Sequence, residues 1–152
     1  MEVALFEQVA HAVRSSVLTK LGPVRSRCHS YSLKVWLGDG SPPREHYEAQ
    51  LLPRALVDGG DGVAIEVGFH AENPREADND HALEILVARE KAWRRTLGVE
   101  AVAGPFLGRE TWRRLSETWL DFELDDPDLV LELADRLSTY INALEPLRHQ
   151  AD

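Results

Sequence analysis

The residues from Gly62 to Leu97 constrain the fold most, because two hydrophobic periodicities follow each other there with a polar loop between them. In the segment GVAIEVGFH, apolar side chains alternate with small or polar ones, the period-two pattern of a strand with one buried face. From His81 to Leu97 the apolar residues recur every three or four positions, as on one side of a helix. This pattern predicts a strand, a loop over residues 71–80 and one long helix that covers the strand.

The apolar faces of this strand, of the helix after it and of a C-terminal helix predict one contiguous core. Each expected core residue lies on the hydrophobic side of its own element. These residues are Val63, Ile65, Val67, Phe69, Leu86, Trp93, Leu133, Leu137 and Ile141.

Turn residues and changes of periodicity divide the rest of the chain into further elements. In chain order they are a helix over 2–21, strands over 27–37 and 45–52, an extended piece over 99–106, a short helix over 109–117, a strand over 119–124, and a helix that Asp126 caps and Pro146 ends. The order α-β-β-β-α-(β)-α-β-α over residues 1–152 predicts a single α+β domain. We expect an antiparallel meander sheet of four or five strands with helices packed mainly on one face.

Composition narrows the class of protein. The net charge of -9 argues against binding to nucleic acid, which depends on clustered lysine and arginine. The single cysteine, Cys28, cannot form an internal disulfide, and no apolar run approaches the roughly 20 residues of a membrane span. We therefore expect a soluble, cytoplasmic bacterial protein with no nucleic-acid or membrane partner.

The outer face of the predicted meander is the first candidate site. Imidazole and carboxylate side chains on neighbouring strands can bind a divalent metal or exchange protons. The residues that would share this face are Lys34, Trp36, His46, Glu48, Gln50, Glu66 and His70. Their spacing matches no established metal motif, and a solvated polar sheet face is the favoured interpretation. A ligand-binding face at these residues is the alternative; we expect no metal and no cofactor, and the sequence assigns no catalytic residue.

Two further candidates have structural alternatives. The acidic segment from His70 to His81, which includes Glu72, could hold a hard cation, but helix capping by Asp78, Asn79 and Asp80 is the favoured interpretation. Tryptophans next to arginines could clamp an acidic ligand, with Trp112 and Arg113 as the candidates, although such tryptophans more often pack in cores. Glu90 and Arg94 are spaced to form a local ion pair.

The order of elements resembles that of two known groups of proteins. A helix, three strands, a helix, two strands and a closing helix in an acidic chain are similar to bacterial secretion chaperones, and this resemblance implies a dimer that binds unfolded segments of partners. The first helix, three strands and second helix also resemble the core of restriction-endonuclease-like proteins. That resemblance implies a magnesium site at Asp39 and Glu66. The lysine of the family's Glu-x-Lys motif is replaced here by Gly68, with Lys91 as a distant substitute.

The functional hypothesis that follows is a small protein that acts by binding a protein partner or a small ligand, without catalysis. We expect a homodimer, because Trp36 and Leu52 lie on the predicted outer side of the sheet. The alternative is a metal-dependent hydrolase or nuclease that uses Asp39, Glu66 and either His46 or His70. The enzyme hypothesis requires these side chains to converge in one cleft, whereas the binding hypothesis requires an exposed patch or groove.

Overall fold

The computed structural model describes residues 2–38, 40 and 42–149, with the backbone alone for residues 2 and 3. The helices are α1 Glu2–Ser16, α2 Glu76–Val87, α3 Glu90–Leu97 and α4 Leu129–Arg148. The strands are β1 Val24–Cys28, β2 Ser32–Leu37, β3 Glu45–Pro53, β4 Val63–Ala71, β5 Val102–Phe106 and β6 Arg109–Trp119. Short 3-10 helices follow α1 at Thr19–Leu21 and β3 at Arg54–Leu56.

The strands form one antiparallel sheet in the order β1-β2-β3-β4-β6-β5. The α+β class and the antiparallel meander are confirmed, with six strands in place of the predicted four or five. Helix α1 packs on β1 and β2, α4 packs on β3 and β4, and α2 packs mainly on β6. The two central strands, β3 and β4, therefore lie directly under α4.

The core forms between the helices and one face of the sheet. All but one of the predicted core residues are buried in a single cluster. The exception is Val63, which is 45% exposed. It is the first residue of β4, pairs with Pro53 at the end of the sheet, and lies beyond the reach of the helices that cover Ile65.

The prediction of one strand over 27–37 is wrong, because this stretch contains a hairpin. Strands β1 and β2 pair antiparallel with Cys28 opposite Leu33, and the amide of His29 donates to the carbonyl of Ser32. The alternation of apolar and polar residues continues through this short turn. The pattern therefore could not show where the chain reverses.

The predicted long helix over 81–97 is two helices, and it begins earlier than expected. Helix α2 starts at Glu76, inside the predicted loop, and α2 ends at Val87. The indole N–H of Trp93 in α3 donates to the carbonyl of Leu86 over 2.7 Å, so a side chain satisfies one end of α2. The capping prediction is wrong too, because Asp78, Asn79 and Asp80 lie within α2 rather than at its N-cap.

The segment after α3 also differs from the prediction. Residues 109–117, predicted as a short helix, belong to strand β6, and residues 119–124, predicted as a strand, lie almost entirely after β6. Strand β6 pairs with β4 on one side and β5 on the other, so tertiary hydrogen bonds decide its conformation. Helix α4 continues past Pro146 to Arg148, two residues beyond the predicted stop.

The first helix ends at Ser16, five residues before the predicted end. The side chain of Asn142 in α4 accepts from the amide of Leu18 over 2.9 Å and donates to the carbonyl of Ser16 over 3.2 Å. A side chain distant in sequence thus satisfies the backbone at the end of α1. Among the described helices, none combines the length and the apolar character needed to cross a membrane.

We predict that Phe69→Ala destabilises the protein by about 3–5 kcal/mol, because Phe69 is fully buried in the core and its removal leaves a cavity. The free energy of unfolding in urea would measure this. Val63→Ala is the matched control on the same strand and should cost less than about 1 kcal/mol. A similar loss in both variants would contradict the burial of Phe69 and the exposure of Val63 at the two ends of this strand face.

Candidate functional site

The face of the sheet opposite the helices carries two short His-x-Glu segments on neighbouring strands. His46 and Glu48 lie on β3, His70 is the penultimate residue of β4, and Glu72 follows the end of β4. His46 pairs directly with His70 in the antiparallel register. Because residues two apart on a strand share a face, all four side chains lie on the same side of the sheet.

These four side chains, together with Glu66, are almost inaccessible to solvent. His70 and Glu66 are fully buried, and the exposed fractions of His46, Glu48 and Glu72 are 1%, 5% and 7%. Antiparallel sheets often leave such a face solvated, and this is the interpretation that the sequence favours. The burial shows that it is wrong for these residues. Three carboxylates in this environment need compensating charge.

One nitrogen of each imidazole and one oxygen each of Glu48 and Glu72 converge. His46 Nε2 lies 2.9 Å from Glu48 Oε1 and 3.4 Å from Glu72 Oε2. His70 Nδ1 lies 3.4 Å from the same oxygen of Glu48 and 3.2 Å from the same oxygen of Glu72. All four atoms lie within 4.8 Å of one another. We call His46, Glu48, His70 and Glu72 the His2Glu2 cluster.

The other nitrogen of each imidazole is held by an acceptor outside the cluster. His46 Nδ1 is 2.9 Å from the carbonyl oxygen of Pro43, which can only accept, so this nitrogen carries a hydrogen. His70 Nε2 lies 2.9 and 3.0 Å from the two carboxylate oxygens of Glu66. Both rings are therefore fixed in orientation, and their remaining nitrogens point at Glu48 and Glu72.

Glu66 is itself held in place by two more donors. Gln50 Nε2 donates to one carboxylate oxygen over 2.7 Å, and the hydroxyl of Ser116 donates to the other over 2.6 Å. Burial opposes the charge of Glu66, but the charge of His70 and these hydrogen bonds outweigh it and lower the pKa of Glu66. Glu66 is thus an ionised carboxylate behind His70 rather than a member of the cluster.

Two protonated imidazoles can balance the carboxylates. Burial opposes the charge on His70, but the charge of Glu66 and the hydrogen bonds to the surrounding carboxylates outweigh it and hold the pKa of His70 well above its usual value. Burial also opposes the charge on His46, but its hydrogen bonds to Glu48 and Glu72 outweigh this effect and raise the pKa of His46. Conversely, the two histidines overcome the effect of burial on Glu48 and lower its pKa to about 2.

A lysine, an aromatic ring and a glycine lie next to the cluster. The amino group of Lys34 lies 3.7 Å from Glu72. The ring of Phe106 lies edge-on to His70, with 4.6 Å between centroids. At Gly68, a Cβ atom would lie 2.6 Å from the Cα of Ser116, so a side chain there would push β6 away from β4.

The structure brings together five of the eight predicted ligand-binding residues: Lys34, His46, Glu48, Glu66 and His70. Trp36 is 6% exposed and lies outside the cluster. Trp112 packs against Phe106, with 5.2 Å between the ring centroids, and Phe106 in turn contacts His70 of the cluster. Arg113 has a different place, since it pairs with Glu76 and Asp80 and so ties β6 to α2.

The other sequence candidates do not assemble a site. His81 is exposed, and Asp78 and Asp80 pair with arginines, so the acidic segment contributes only His70 and Glu72 to the cluster. The predicted ion pair of Glu90 with Arg94 is present at 3.1 Å. Asp39, which the nuclease resemblance required, lies outside the described residues.

The sequence reasoning placed Glu72 with the loop rather than with the sheet face. It also did not assign Ser116 or the carbonyl of Pro43 to the site. The repeated His-x-Glu pattern on two predicted neighbouring strands was the available signal, because residues two apart share a face. The sequence did not give the register of these two strands. Once His46 is paired with His70, the four side chains converge.

Comparison of this chain with protein-family models, with curated proteins and with solved structures found no match. The function of the protein is therefore inferred from the geometry of the site.

We predict that the protein treated with a chelator loses stability as the pH rises above 6.5. The pKa of His70 is held well above the usual histidine value of 6.5, so its contribution to stability is complete below that value and disappears as the pH passes its folded-state pKa. The pKa of Glu48 is lowered from 4.5 to about 2, so its contribution is lost as the pH falls through that range. The free energy of unfolding in urea, measured from acidic to alkaline pH, should fall on both sides: above pH 6.5 for His70 and below pH 4.5 for Glu48.

The exposed histidine His81 provides the control, because His81→Ala should leave the shape of this pH profile unchanged. Stability that is constant or increasing from pH 6.5 to about 9 would show that His70 is neutral in the chelated protein.

Proposed function

We propose that the protein binds a divalent transition-metal ion through the His2Glu2 cluster. A tetrahedral zinc ion with ligands at about 2.0–2.1 Å requires neighbouring ligand atoms to be about 3.3 Å apart. The four nitrogen-to-oxygen distances across the cluster are 2.9, 3.4, 3.4 and 3.2 Å, which match four of the six edges of such a tetrahedron, and all four atoms lie within 4.8 Å of one another. This agreement is the observation that carries the proposal.

The hydrogen bonds behind the two histidines also support a metal site. A histidine that binds a metal usually donates its second ring N–H to a carboxylate or a backbone carbonyl, which fixes its tautomer and orientation. His70 has the carboxylate of Glu66 in this position, and His46 has the carbonyl of Pro43. The same acceptors also satisfy the second N–H of each imidazole in the protonated form, so they support a metal site together with the distances and not by themselves.

The charge of the cluster suits a dication. Three carboxylates with two protonated imidazoles have one net negative charge, and so do three carboxylates with two neutral imidazoles and one dication. A metal ion can therefore replace two protons without changing the net charge of the buried face. Lys34, 3.7 Å from Glu72, offsets the remaining charge in either form.

The mixture of two nitrogens and two oxygens favours zinc or a neighbouring transition metal over calcium and magnesium, which prefer oxygen ligands alone. Four protein ligands also complete the coordination of a tetrahedral ion, as in structural zinc sites, whereas catalytic sites keep one position open. The proposal thus retains the expectation of binding without catalysis, and replaces the expectation of no metal and no cofactor.

The hydrolase alternative receives less support. Its aspartate, Asp39, lies outside the described residues, and the position of its lysine is the closely packed Gly68. Trp36 and Leu52, the basis of the expected homodimer, are each only 6% exposed within the single chain, so their burial needs no second copy. The homodimer and the protein partner remain predictions with no further support.

We predict that the chelator-treated protein binds one zinc ion per chain and that His70→Ala or Glu48→Gln weakens this binding by more than 100-fold, since each loses a ligand. Glu66→Gln should weaken it by about 10–100-fold by removing the acceptor behind His70. Calorimetric titration with zinc would measure these affinities, with manganese, cobalt and magnesium for comparison.

The matched control is His81→Ala, which removes an exposed histidine and should leave the zinc affinity unchanged. Circular dichroism of each variant would separate loss of a ligand from loss of the fold. If the wild-type protein binds none of these ions, or if His70→Ala binds as tightly as wild type, the His2Glu2 cluster is a charge-balanced network and not a metal site.

We further predict that zinc binding at pH 6 releases more than one proton per ion, because the pKa values of His46 and His70 are raised and both must give up a proton to bind. Calorimetry in two buffers of different ionisation enthalpy measures this number. Release of fewer than half a proton per ion would mean that zinc binds elsewhere or to histidines that are already neutral.

A further inference from the structure

Strands β2 and β3 separate at the end of their shared ladder. Their pairing in the described residues ends where Val35 meets Tyr47. Beyond this point β2 continues to Leu37 beside β1, while β3 begins at Glu45 beside β4. The sheet is therefore open between Trp36–Leu37 and Glu45–His46.

A cleft of about 620 Å³ lies at this opening, within the usual size range of small-molecule sites. Residues of both strands line it, together with the end of α4 and the 3-10 helix after α1. Apolar side chains contribute much of the wall: Leu21, Trp36, Leu37, Pro43 and Pro146. Such a wall suits the apolar body of a small organic molecule.

The two carboxylates of the cleft share one guanidinium. Arg148 lies 2.7 Å from Glu145 and 3.0 Å from Glu45, and its side chain is only 16% exposed. Lys20 and Arg44 also line the cleft, and neither side chain has a carboxylate partner among the described residues. Among the described lining residues, the three lysine and arginine side chains exceed the two carboxylates by one positive charge, although the whole chain has a net charge of -9.

Trp36 adds a polar group to the same wall. It is 6% exposed, and its indole N–H has no hydrogen-bond partner among the described residues. Buried donors in native proteins are nearly always paired with protein, water or ligand, and an unpaired one costs about 1–3 kcal/mol. Because Trp36 lines the cleft, the signal of its indole N–H can report on a ligand that packs against it.

We propose that this cleft binds a small organic anion, with its carboxylate or phosphate group attracted by Lys20 and Arg44 and its apolar body packed against Trp36. The cleft adds a ligand-binding site to the proposed function and does not depend on a metal ion. His46 lines the cleft as well as belonging to the His2Glu2 cluster, so the two sites are neighbours.

The test uses three probes that share one aromatic ring: benzoate, phenyl phosphate and the uncharged benzamide. Each is titrated into the full chain in low salt, with and without zinc, while the NMR signal of the Trp36 indole N–H is followed. We expect saturable shifts with at least one anion and none with benzamide. Binding of benzoate alone would identify a carboxylate site, and binding of phenyl phosphate alone would identify a phosphate site.

Arg44→Gln and Lys20→Gln should each weaken binding of the anion by about fivefold, the effect expected from losing one solvent-exposed charge nearby. Both residues are exposed, so the fold should tolerate the changes. Arg95→Gln removes an exposed arginine that does not line the cleft and is the matched control. The proposal is overturned if neither anion gives a saturable shift, if benzamide binds equally well, or if Arg44→Gln and Arg95→Gln behave alike.

A failure of this test leaves the zinc titrations of the His2Glu2 cluster unaffected, because those variants change different residues. Conversely, anion binding to a protein that takes up no zinc would support the cleft and reject the metal site.

Discussion

The burial of three carboxylates on one face of the sheet is the constraint on which the rest of the structure depends. Glu48 and Glu66 lie on the strands whose other faces carry the hydrophobic core, and Glu72 directly follows one of them. A buried carboxylate without compensation would cost several kcal/mol, enough to consume a large part of a typical stability of about 5–15 kcal/mol. The two histidines provide the compensation, and this ties the pairing of β3 with β4 to the protonation or metal occupancy of the site. Core packing and site chemistry therefore stabilise the same pair of strands from opposite faces.

In the proposed function, protons and a metal ion would compete for the same two imidazole nitrogens. In the protonated form His46 Nε2 donates to Glu48 and His70 Nδ1 donates to Glu72, and in the metal-bound form the same nitrogens and oxygens would be the ligands. The four nitrogen-to-oxygen distances are already close to those of a tetrahedral site, so the proposed metal-bound form would change them little. Glu66 would serve both forms, because it accepts from His70 Nε2 in either case.

The sequence predicted the parts of the fold that depend on local periodicity. Strands β3 and β4 lie within one residue of their predicted bounds, and their alternation placed His46, Glu48, Glu66 and His70 on one face. The failures share a tertiary cause. Strand β6, rich in arginine, is extended because β4 and β5 both pair with it. The burial of the polar face was equally invisible to periodicity, which shows that two faces differ but not whether the polar one meets water.

The segment from Pro43 to His46 links the two proposed sites physically. The carbonyl of Pro43 accepts from His46 Nδ1 and thereby orients a cluster ligand, while Pro43, Arg44 and His46 also line the cleft. A ligand that contacts Arg44 therefore acts on the same short piece of backbone that holds the imidazole of His46. Any change in the position of the Pro43 carbonyl changes how firmly His46 Nε2 is directed at the cluster. Because coupling between two binding equilibria is reciprocal, an anion that altered zinc affinity by a given factor would have its own affinity altered by zinc by the same factor.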